Sequence, residues 1–135
     1  MTSAPEHPNA ALVRRLLEAF RARDVGAIAA LFAEDAVWHF PGRRGILAGD
    51  HRGHAGILRF LAQVPAATGD SFSLEPEDVL TSDAGAVILF RGHGERRGLR
   101  LDNPTCLRLR IAAGRIAELW EFVWDLEHVE AFWAP

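Results

Sequence analysis

The sequence predicts an α+β fold in which three N-terminal helices wrap a curved, mostly antiparallel sheet and a short C-terminal helix ends the domain. Two observations predict it. Apolar residues recur at helical spacing in the first half of the chain, whereas the second half is a series of strand-like segments separated by turn residues. The chain has 135 residues, 49% of them hydrophobic, which suits one domain with a substantial core. We therefore expect a single domain over residues 1–135, with residues 1–8 frayed.

Three helices and one short strand are predicted in the first half. The first helix begins at the expected N-cap Asn9, and the second begins at the expected N-cap Asp24. A strand is expected over 36–40, and the third helix over about 54–64. The glycine-rich, charged segment 42–53 between them is expected to be a long binding loop.

Four more strands are expected, over 71–80, 86–93, 99–111 and 115–125. Pro76 predicts that the first of these is an edge strand or carries a bulge. The apolar run at 86–93 is expected to be buried on both faces. Asn103-Pro104 predicts a bulge or corner in the third strand, and a short helix is expected over 126–133.

Composition excludes several classes of function. The chain has no tyrosine, and its 15 basic residues are all arginine, so a Schiff-base lysine and a tyrosine acid are both excluded. The net charge of −3 and the lack of a basic stripe argue against a nucleic-acid partner. No run approaches the roughly 18 apolar residues of a membrane span. The single cysteine, Cys106, suits a reducing cytosol, so we expect a cytoplasmic protein.

The strand 115–125 carries the main catalytic candidate. Side chains alternate along it, with Leu119, Glu121 and Val123 on one face and Glu118, Trp120, Phe122 and Trp124 on the other. Glu121 is a lone carboxylate between two aliphatic residues, where desolvation would raise its pKa and make it an acid/base candidate. Leu119 and Val123 are expected to shape the substrate pocket. The alternative is a structural ion pair between Glu121 and an arginine such as Arg91 or Arg108.

The strand 36–40 supplies further site candidates. Trp38 and Phe40 share one face and are expected to bind a flat, apolar substrate, or to be core aromatic residues. His39 is a second catalytic candidate, although alternation places it opposite Trp38, away from the pocket if Trp38 and Phe40 line it.

Polar candidates on neighbouring strands are Arg91, His93 and Cys106. Arg91 and His93 share a strand face and are expected to bind a substrate oxygen at the pocket mouth, the alternative being a solvated strand end. Cys106 is a pocket candidate or a small core residue. The sequence does not decide whether Asp102 and Asn103 lie in the pocket or at a strand corner.

The motif His51-x-x-His54, with Asp50 before it, has loosely metal-like spacing. Two histidines without a third firm ligand give a weak zinc signal, and a loop leading into a helix is the better interpretation. We therefore expect no metal and no cofactor.

The two faces of the predicted sheet are expected to have different functions. The concave face and the helices enclose a cone, which is the expected pocket for a hydrophobic small molecule. The convex face is expected to carry the aromatic side chains of Phe90, Trp120, Phe122 and Trp124. Such an exposed aromatic surface is unusual on a monomer, so we expect a homodimer formed through the convex face.

The segments ALFAEDAVWHFPG (30–42), LAGDHRGHAGI (47–57) and DNPTCLRLRIAAGRIAELWEFVWD (102–125) resemble the SnoaL-like branch of the nuclear-transport-factor-2-like superfamily. This branch groups polyketide cyclases, ketosteroid isomerases and limonene epoxide hydrolases. The resemblance runs over about residues 12–133 and implies a conical α+β barrel with a concave pocket, which commonly dimerises.

The resemblance does not carry over every catalytic residue. The base of a ketosteroid isomerase corresponds to Phe40, and its oxyanion-hole tyrosine to a position near Leu16. Its protonated acid corresponds to Thr105 or Cys106. Steroid isomerisation is therefore not supported. Limonene epoxide hydrolases hold water with a tyrosine and an asparagine that align with Trp38 and Phe40. The late-strand aspartate of the hydrolases and of SnoaL-type cyclases aligns with Glu121.

The sequence therefore predicts a cofactor-free acid/base enzyme for a hydrophobic small molecule, catalysing cyclisation, isomerisation, dehydration or epoxide opening. Glu121 would be the general base or acid. The alternative is a non-catalytic ligand-binding or dimerisation module of the same fold.

Overall fold

The computed structural model describes residues 6–135. Of residues 1–8, which were predicted to be frayed, residues 1–5 lie outside the described residues. Within the described range, four helices and six strands form one α+β unit. The helices are α1 (Pro8–Arg21), α2 (Val25–Ala30), α3 (Gly53–Thr68) and α4 (Leu126–Phe132). The strands are β1 (Phe32–Phe40), β2 (Gly49–Arg52), β3 (Ser73–Ser82), β4 (Gly85–Arg96), β5 (Leu99–Ala112) and β6 (Arg115–Val123).

The first helix begins two residues earlier than predicted. Pro8 occupies the first turn, where its missing N–H costs nothing, and His7 is the N-cap, accepting from the backbone N–H of Asn9 at 3.0 Å. The prediction of Asn9 as the cap was therefore wrong. Asn9 instead donates its Nδ2–H to the carbonyl of Ser82 at 2.8 Å, which ties α1 to the β3–β4 turn. Asp24 caps α2 as predicted, through Ala27 N–H.

The six strands form one open, curved sheet in the order β2-β1-β6-β5-β4-β3. Every neighbouring pair is antiparallel except β1 and β6, which run parallel. This pair brings the first strand of the chain beside the last strand, with Trp38 opposite Leu119. The α+β prediction is confirmed.

Several details of the strands differ from the sequence prediction. β2 lies inside the segment 42–53 that was expected to be a loop, because it pairs with β1. The bulge expected at Asn103-Pro104 is absent, since β5 pairs with β4 in continuous register there. β3 is an edge strand with a register shift after Pro76, as predicted.

Burial along β4 alternates, so the prediction that 86–93 is buried on both faces was wrong. Helices cover only the concave face of the sheet, and the side chains of Ile88 and Phe90 point to that face, whereas Leu89 points to the convex face and is exposed. Phe90 was expected on the convex face and instead lines the interior. The core lies between the concave face and the helices, with fully buried residues from both sides: Leu12, Leu16, Ile57, Ile88, Leu107 and Leu119.

Candidate functional site

A cavity of about 140 Å³ lies between the concave face of the sheet and the helices. Its walls are mainly apolar, and seven aromatic residues form part of them: Phe20, Trp38, Phe40, Phe60, Phe72, Phe90 and Trp133. Polar side chains among its lining residues are few: the sheet supplies Ser73, Asn103, Thr105 and Glu121, and the segment between α1 and α2 supplies Arg23. This composition is typical of a site for an apolar small molecule that is oriented by a few hydrogen bonds.

Glu121 lies on the concave face of β6, opposite Leu107 of β5, and lines the cavity. Its Oε1 accepts a hydrogen bond from the indole Nε1–H of Trp38 at 3.0 Å. Within residues 6–135, no arginine or histidine is within ion-pair distance of this carboxylate. Arg91 pairs with Asp102 at 2.9 Å and Arg108 lies over the Trp120 ring, so neither of the expected arginine partners reaches Glu121.

The surroundings of Glu121 raise its pKa to about 7. The dominant cause is desolvation, because the apolar cavity disfavours the charged form, and the hydrogen bond from Trp38 opposes it by stabilising the carboxylate. A carboxyl group with a pKa near neutrality holds a proton part of the time and can either accept or donate one. This is the property required of a general acid or base.

A row of aromatic rings holds Trp38 in place. Trp38 stacks on Phe32 at 5.7 Å between ring centroids and packs against Phe60 at 4.9 Å. His51 stacks on the same Phe60 at 4.3 Å and donates its Nε2–H to the carbonyl of Leu47 at 2.8 Å. Burial lowers the pKa of His51, so a neutral imidazole supports the ring. The sequence assigned His51 no such role.

A second polar pair, Asn103 and Thr105, lies on the concave face of β5. Asn103 Nδ2–H donates to Thr105 Oγ1 at 2.8 Å, and the Thr105 hydroxyl donates to the Asn103 carbonyl at 3.2 Å. Asn103 is only 5% exposed, and its Oδ1 has no hydrogen-bond partner in the described part of the chain. Leaving such an atom unpaired costs about 1–3 kcal/mol.

The sequence left the location of Asn103 open. Alternation from Leu101 to Leu107 would have found it, because it places 103 and 105 on the same face as these two buried leucines. The Pro104 beside it favoured a bulge instead. Asp102 points the other way and binds Arg91.

Among the predicted pocket residues, Trp38, Phe40 and Glu121 line the cavity together. Leu119 is on the same face but is 0% exposed, so it supports the site from within the core. Val123 packs against the core from its partly buried position and does not line the cavity.

Arg91, His93 and Cys106 are not brought to the cavity, which differs from their expected role in binding substrate. They alternate with concave-face residues of β4 and β5 and therefore lie on the convex face. His93 contacts Glu75 at 3.0 Å. Burial raises the pKa of the Cys106 thiol, which keeps it protonated and weakly reactive.

His39 also lies on the convex face, away from Glu121, and this placement does not fit a catalytic role in the cavity. Its Nδ1–H and Nε2–H donate to Asp50 at 2.7 Å and Glu118 at 2.6 Å, and its ring stacks on Trp120 at 5.6 Å. Partial desolvation opposes the charged form, but the two hydrogen-bonded carboxylates raise the pKa of His39 overall. The pKa of Glu118 is lowered, chiefly by its bond to His39.

Each residue of the metal-like motif makes a hydrogen bond to a different partner. His54 donates its Nε2–H to the carbonyl of Phe32 at 2.7 Å, His51 binds Leu47, and Asp50 binds His39. Over residues 6–135, no group of three or more potential ligand side chains is arranged to hold a metal ion.

Comparison with known proteins assigns the family. The family model described as the SnoaL-like domain matches residues 13–119. The chain belongs to the SnoaL-like family. The resemblance predicted from the sequence motifs is thus confirmed, and solved structures described as NTF2-like proteins share the fold.

An uncharacterised protein from Mycobacterium tuberculosis is 36% identical over 124 residues, covering 91% of this chain and 94% of the relative. Bal32a, from a soil-derived mobile gene cassette, is 36% identical with a TM-score of 0.87, covering 93% of this chain and 96% of its own. TerC, co-crystallised with polyporic acid, is 25% identical with a TM-score of 0.80, covering 93% and 98%. Among residues 6–135, no helix is long and apolar enough to cross a membrane.

Proposed function

We propose that this SnoaL-like protein is a cofactor-free acid/base enzyme that acts on a hydrophobic small molecule in the concave cavity. The observation that carries the proposal is the Glu121 carboxyl, which has a pKa of about 7 and lines an otherwise apolar space. TerC, which shares the fold, was co-crystallised with polyporic acid, and this supports a small-molecule ligand for the cavity.

The proposed mechanism is proton transfer by Glu121. In its ionised form the carboxylate removes a proton from the substrate, and the protonated form returns the proton at a second position or to a leaving oxygen. Trp38 holds the carboxylate through its Nε1–H, and the aromatic walls exclude water and bind the substrate rings. Cyclisation, isomerisation, dehydration and epoxide opening are the reactions of this class. Arg91 and His93 have no part in it, since they lie on the other face.

Hydrogen–deuterium exchange tests the proposal without knowledge of the natural substrate. Tetralone, an aromatic ketone with enolisable hydrogens, is incubated with the protein in deuterated buffer, and deuterium uptake is followed by NMR. We expect the wild type to accelerate exchange and Glu121→Gln to lose about 100-fold or more of that rate. Glu118→Gln, on the same strand but the opposite face, is the matched control and should exchange like the wild type.

The second candidate is a non-catalytic ligand-binding or dimerisation module, which is favoured by the loss of the ketosteroid isomerase residues and of the hydrolase's water-holding pair. The buried carboxyl without an arginine partner favours the enzyme. Binding of tetralone with equal, uncatalysed exchange in wild type and Glu121→Gln would make the module the better account.

We further propose that the protein is a homodimer formed through the convex face of the sheet. Phe122 is 53% exposed and Trp124 is 85% exposed on this face, beside Trp120. An exposed apolar patch of this kind is typical of a protein–protein interface. A cytoplasmic location is part of the same proposal, because the single cysteine suits a reducing compartment.

A further inference from the structure

We propose that Asn103 is a specificity residue, which selects ligands carrying a hydroxyl or N–H group at the end of the molecule remote from Glu121. The inference rests on the proposed function, because it assigns the substrate class of the same cavity. It starts from a single atom, the Asn103 Oδ1, which is buried, belongs to a residue lining the cavity, and has no hydrogen-bond partner among residues 6–135.

The hydrogen bonds around Asn103 determine which amide atom is left for a ligand. A threonine hydroxyl has one hydrogen, and Thr105 donates it to the Asn103 backbone carbonyl. Its oxygen can then only accept, so the Asn103 Nδ2–H must face it, as is seen at 2.8 Å. The atom left without a partner is consequently the Oδ1, which is an acceptor, and its complement is a donor on the ligand.

The position opposite Asn103 on β4 carries no side chain. Gly92 pairs with Asn103, and both line the cavity. A side chain at Gly92 would extend toward the ring of Phe72, since a Cβ built there lies 3.5 Å from Phe72 Cε2. With glycine at this position, the neighbouring strand supplies no side chain that competes for the Oδ1.

The register sets the distance between the two polar ends of the site. Glu121 pairs with Leu107, and Asn103 lies four residues before Leu107 on the same face of β5. At the rise of a β-strand this is roughly 13 Å between backbone positions. A ligand that meets both residues is thus elongated, with its reacting carbon or oxygen at Glu121 and a donor group at Asn103.

Two probes that differ in one group test the assignment. Naphthol and methylnaphthalene are similar in size, but only naphthol carries a donor, and binding of either is followed by tryptophan fluorescence of Trp38 and Trp133. We expect the wild type to bind naphthol roughly tenfold more tightly than methylnaphthalene. In Asn103→Leu, which is close in size, the preference should disappear, while Glu118→Gln, on the convex face, should retain it.

The outcomes separate this inference from the proposed function. An equal preference in wild type and Asn103→Leu overturns the role of Asn103 and leaves the acid/base proposal standing. Failure of the wild type to bind either probe overturns both. Should Asn103→Leu not fold, Thr105→Val decides the question, because it removes the group that orients the amide and is expected to reduce the naphthol preference. An unchanged preference in Thr105→Val would then overturn the inference.

Discussion

The indole Nε1 of Trp38 lies 3.0 Å from Oε1 of Glu121, so a hydrogen bond joins β1 to β6 across the parallel pair. Trp38 is opposite Leu119, and its long side chain reaches the residue two positions further along β6. The bond favours the ionised carboxylate, whereas the apolar cavity favours the neutral acid. The balance of these two effects gives Glu121 its pKa of about 7.

Removal of this donor is expected to raise the pKa of Glu121 further. Trp38→Phe keeps an aromatic ring between Phe32 and Phe60 but loses the indole N–H. Titration of the Glu121 carboxyl carbon by NMR should give a value above about 7. Trp133→Phe changes another tryptophan of the cavity wall and is the control, with no change expected. A lower pKa in Trp38→Phe would contradict the balance described above.

Glu121 is also expected to make the stability of the protein depend on pH. Its pKa is raised from an ordinary 4.5 to about 7, so the folded state binds its proton more tightly than the unfolded state does. The resulting stability is fully present below pH 4.5 and is lost as the pH rises through about 7, a difference of about 3 kcal/mol. Urea unfolding at pH 5 and pH 8.5 should show a larger loss in the wild type than in Glu121→Gln, because His39 titrates in both proteins and Glu121 only in the wild type.

Glu118 provides a control of opposite sign on the same strand. Its pKa is lowered, chiefly by its hydrogen bond to His39, so its contribution is present above its unfolded pKa and is lost as the pH falls through its folded pKa. Glu118→Gln should therefore lose stability relative to the wild type at neutral pH. The prediction for Glu121 fails if Glu121→Gln, like Glu118→Gln, is less stable than the wild type at neutral pH.

His39 and His51 are expected to titrate on opposite sides of the ordinary histidine value. Two carboxylates raise the pKa of His39, whereas desolvation lowers that of His51. The stability that His39 contributes is present below its unfolded pKa and is lost as the pH rises through its folded pKa. Ring proton shifts measured by NMR give both values in one experiment, and a His51 pKa above that of His39 would contradict the assignment.

Filling the cavity from Gly92 should abolish ligand binding without unfolding the protein. A Cβ at Gly92 meets Phe72 Cε2 at 3.5 Å and Phe90 Cε2 at 3.7 Å, both ordinary contacts, so the side chain of Gly92→Leu extends into the free volume. We expect naphthol to bind at least roughly tenfold more weakly. Cys106→Val, on the convex face, should bind like the wild type. Unchanged binding in Gly92→Leu would place the ligand elsewhere.

A charge on the convex face should dissociate the proposed homodimer. Phe122→Glu introduces a carboxylate into the exposed aromatic surface, where burial in an interface would be costly. Sedimentation should give a dimer for the wild type and a monomer for the variant. Leu58→Glu places the same charge on an exposed leucine of α3, outside the sheet, and should remain dimeric. A monomeric wild type at high concentration would contradict the proposal.

The alternation of side chains in the sequence predicted the face of the sheet on which Glu121 lies, but not the other residues that share its cavity. The pattern around Glu121 predicted which face it takes, because one buried face forces a period of two. The same pattern left Asn103 undecided, since the proline beside it favoured a bulge that continuous pairing with β4 overrides.

The partners of Glu121 depended on long-range register, which local patterns do not contain. The parallel alignment of β1 with β6 places Trp38 beside the carboxylate. Arg91 and Arg108 lie on the convex face of β4 and β5, where they contact Asp102 and Trp120 instead. β2 was missed for a related reason. GDHR is a short, polar segment that becomes a strand only because β1 offers an edge for pairing.

The parallel pairing of β1 with β6 also constrains the order in which the protein folds. Trp38 and Glu121 are separated by 83 positions, and contacts between such distant segments form slowly because a long loop must close first. The other neighbour of β1 is the four-residue β2, and an isolated two-stranded hairpin is marginally stable in water. We therefore expect β1 to join the sheet only after β6 has paired with β5. The cavity and its carboxylate would then be completed together in the last step of folding, so partly synthesised chains that end before β6 would have no functional site.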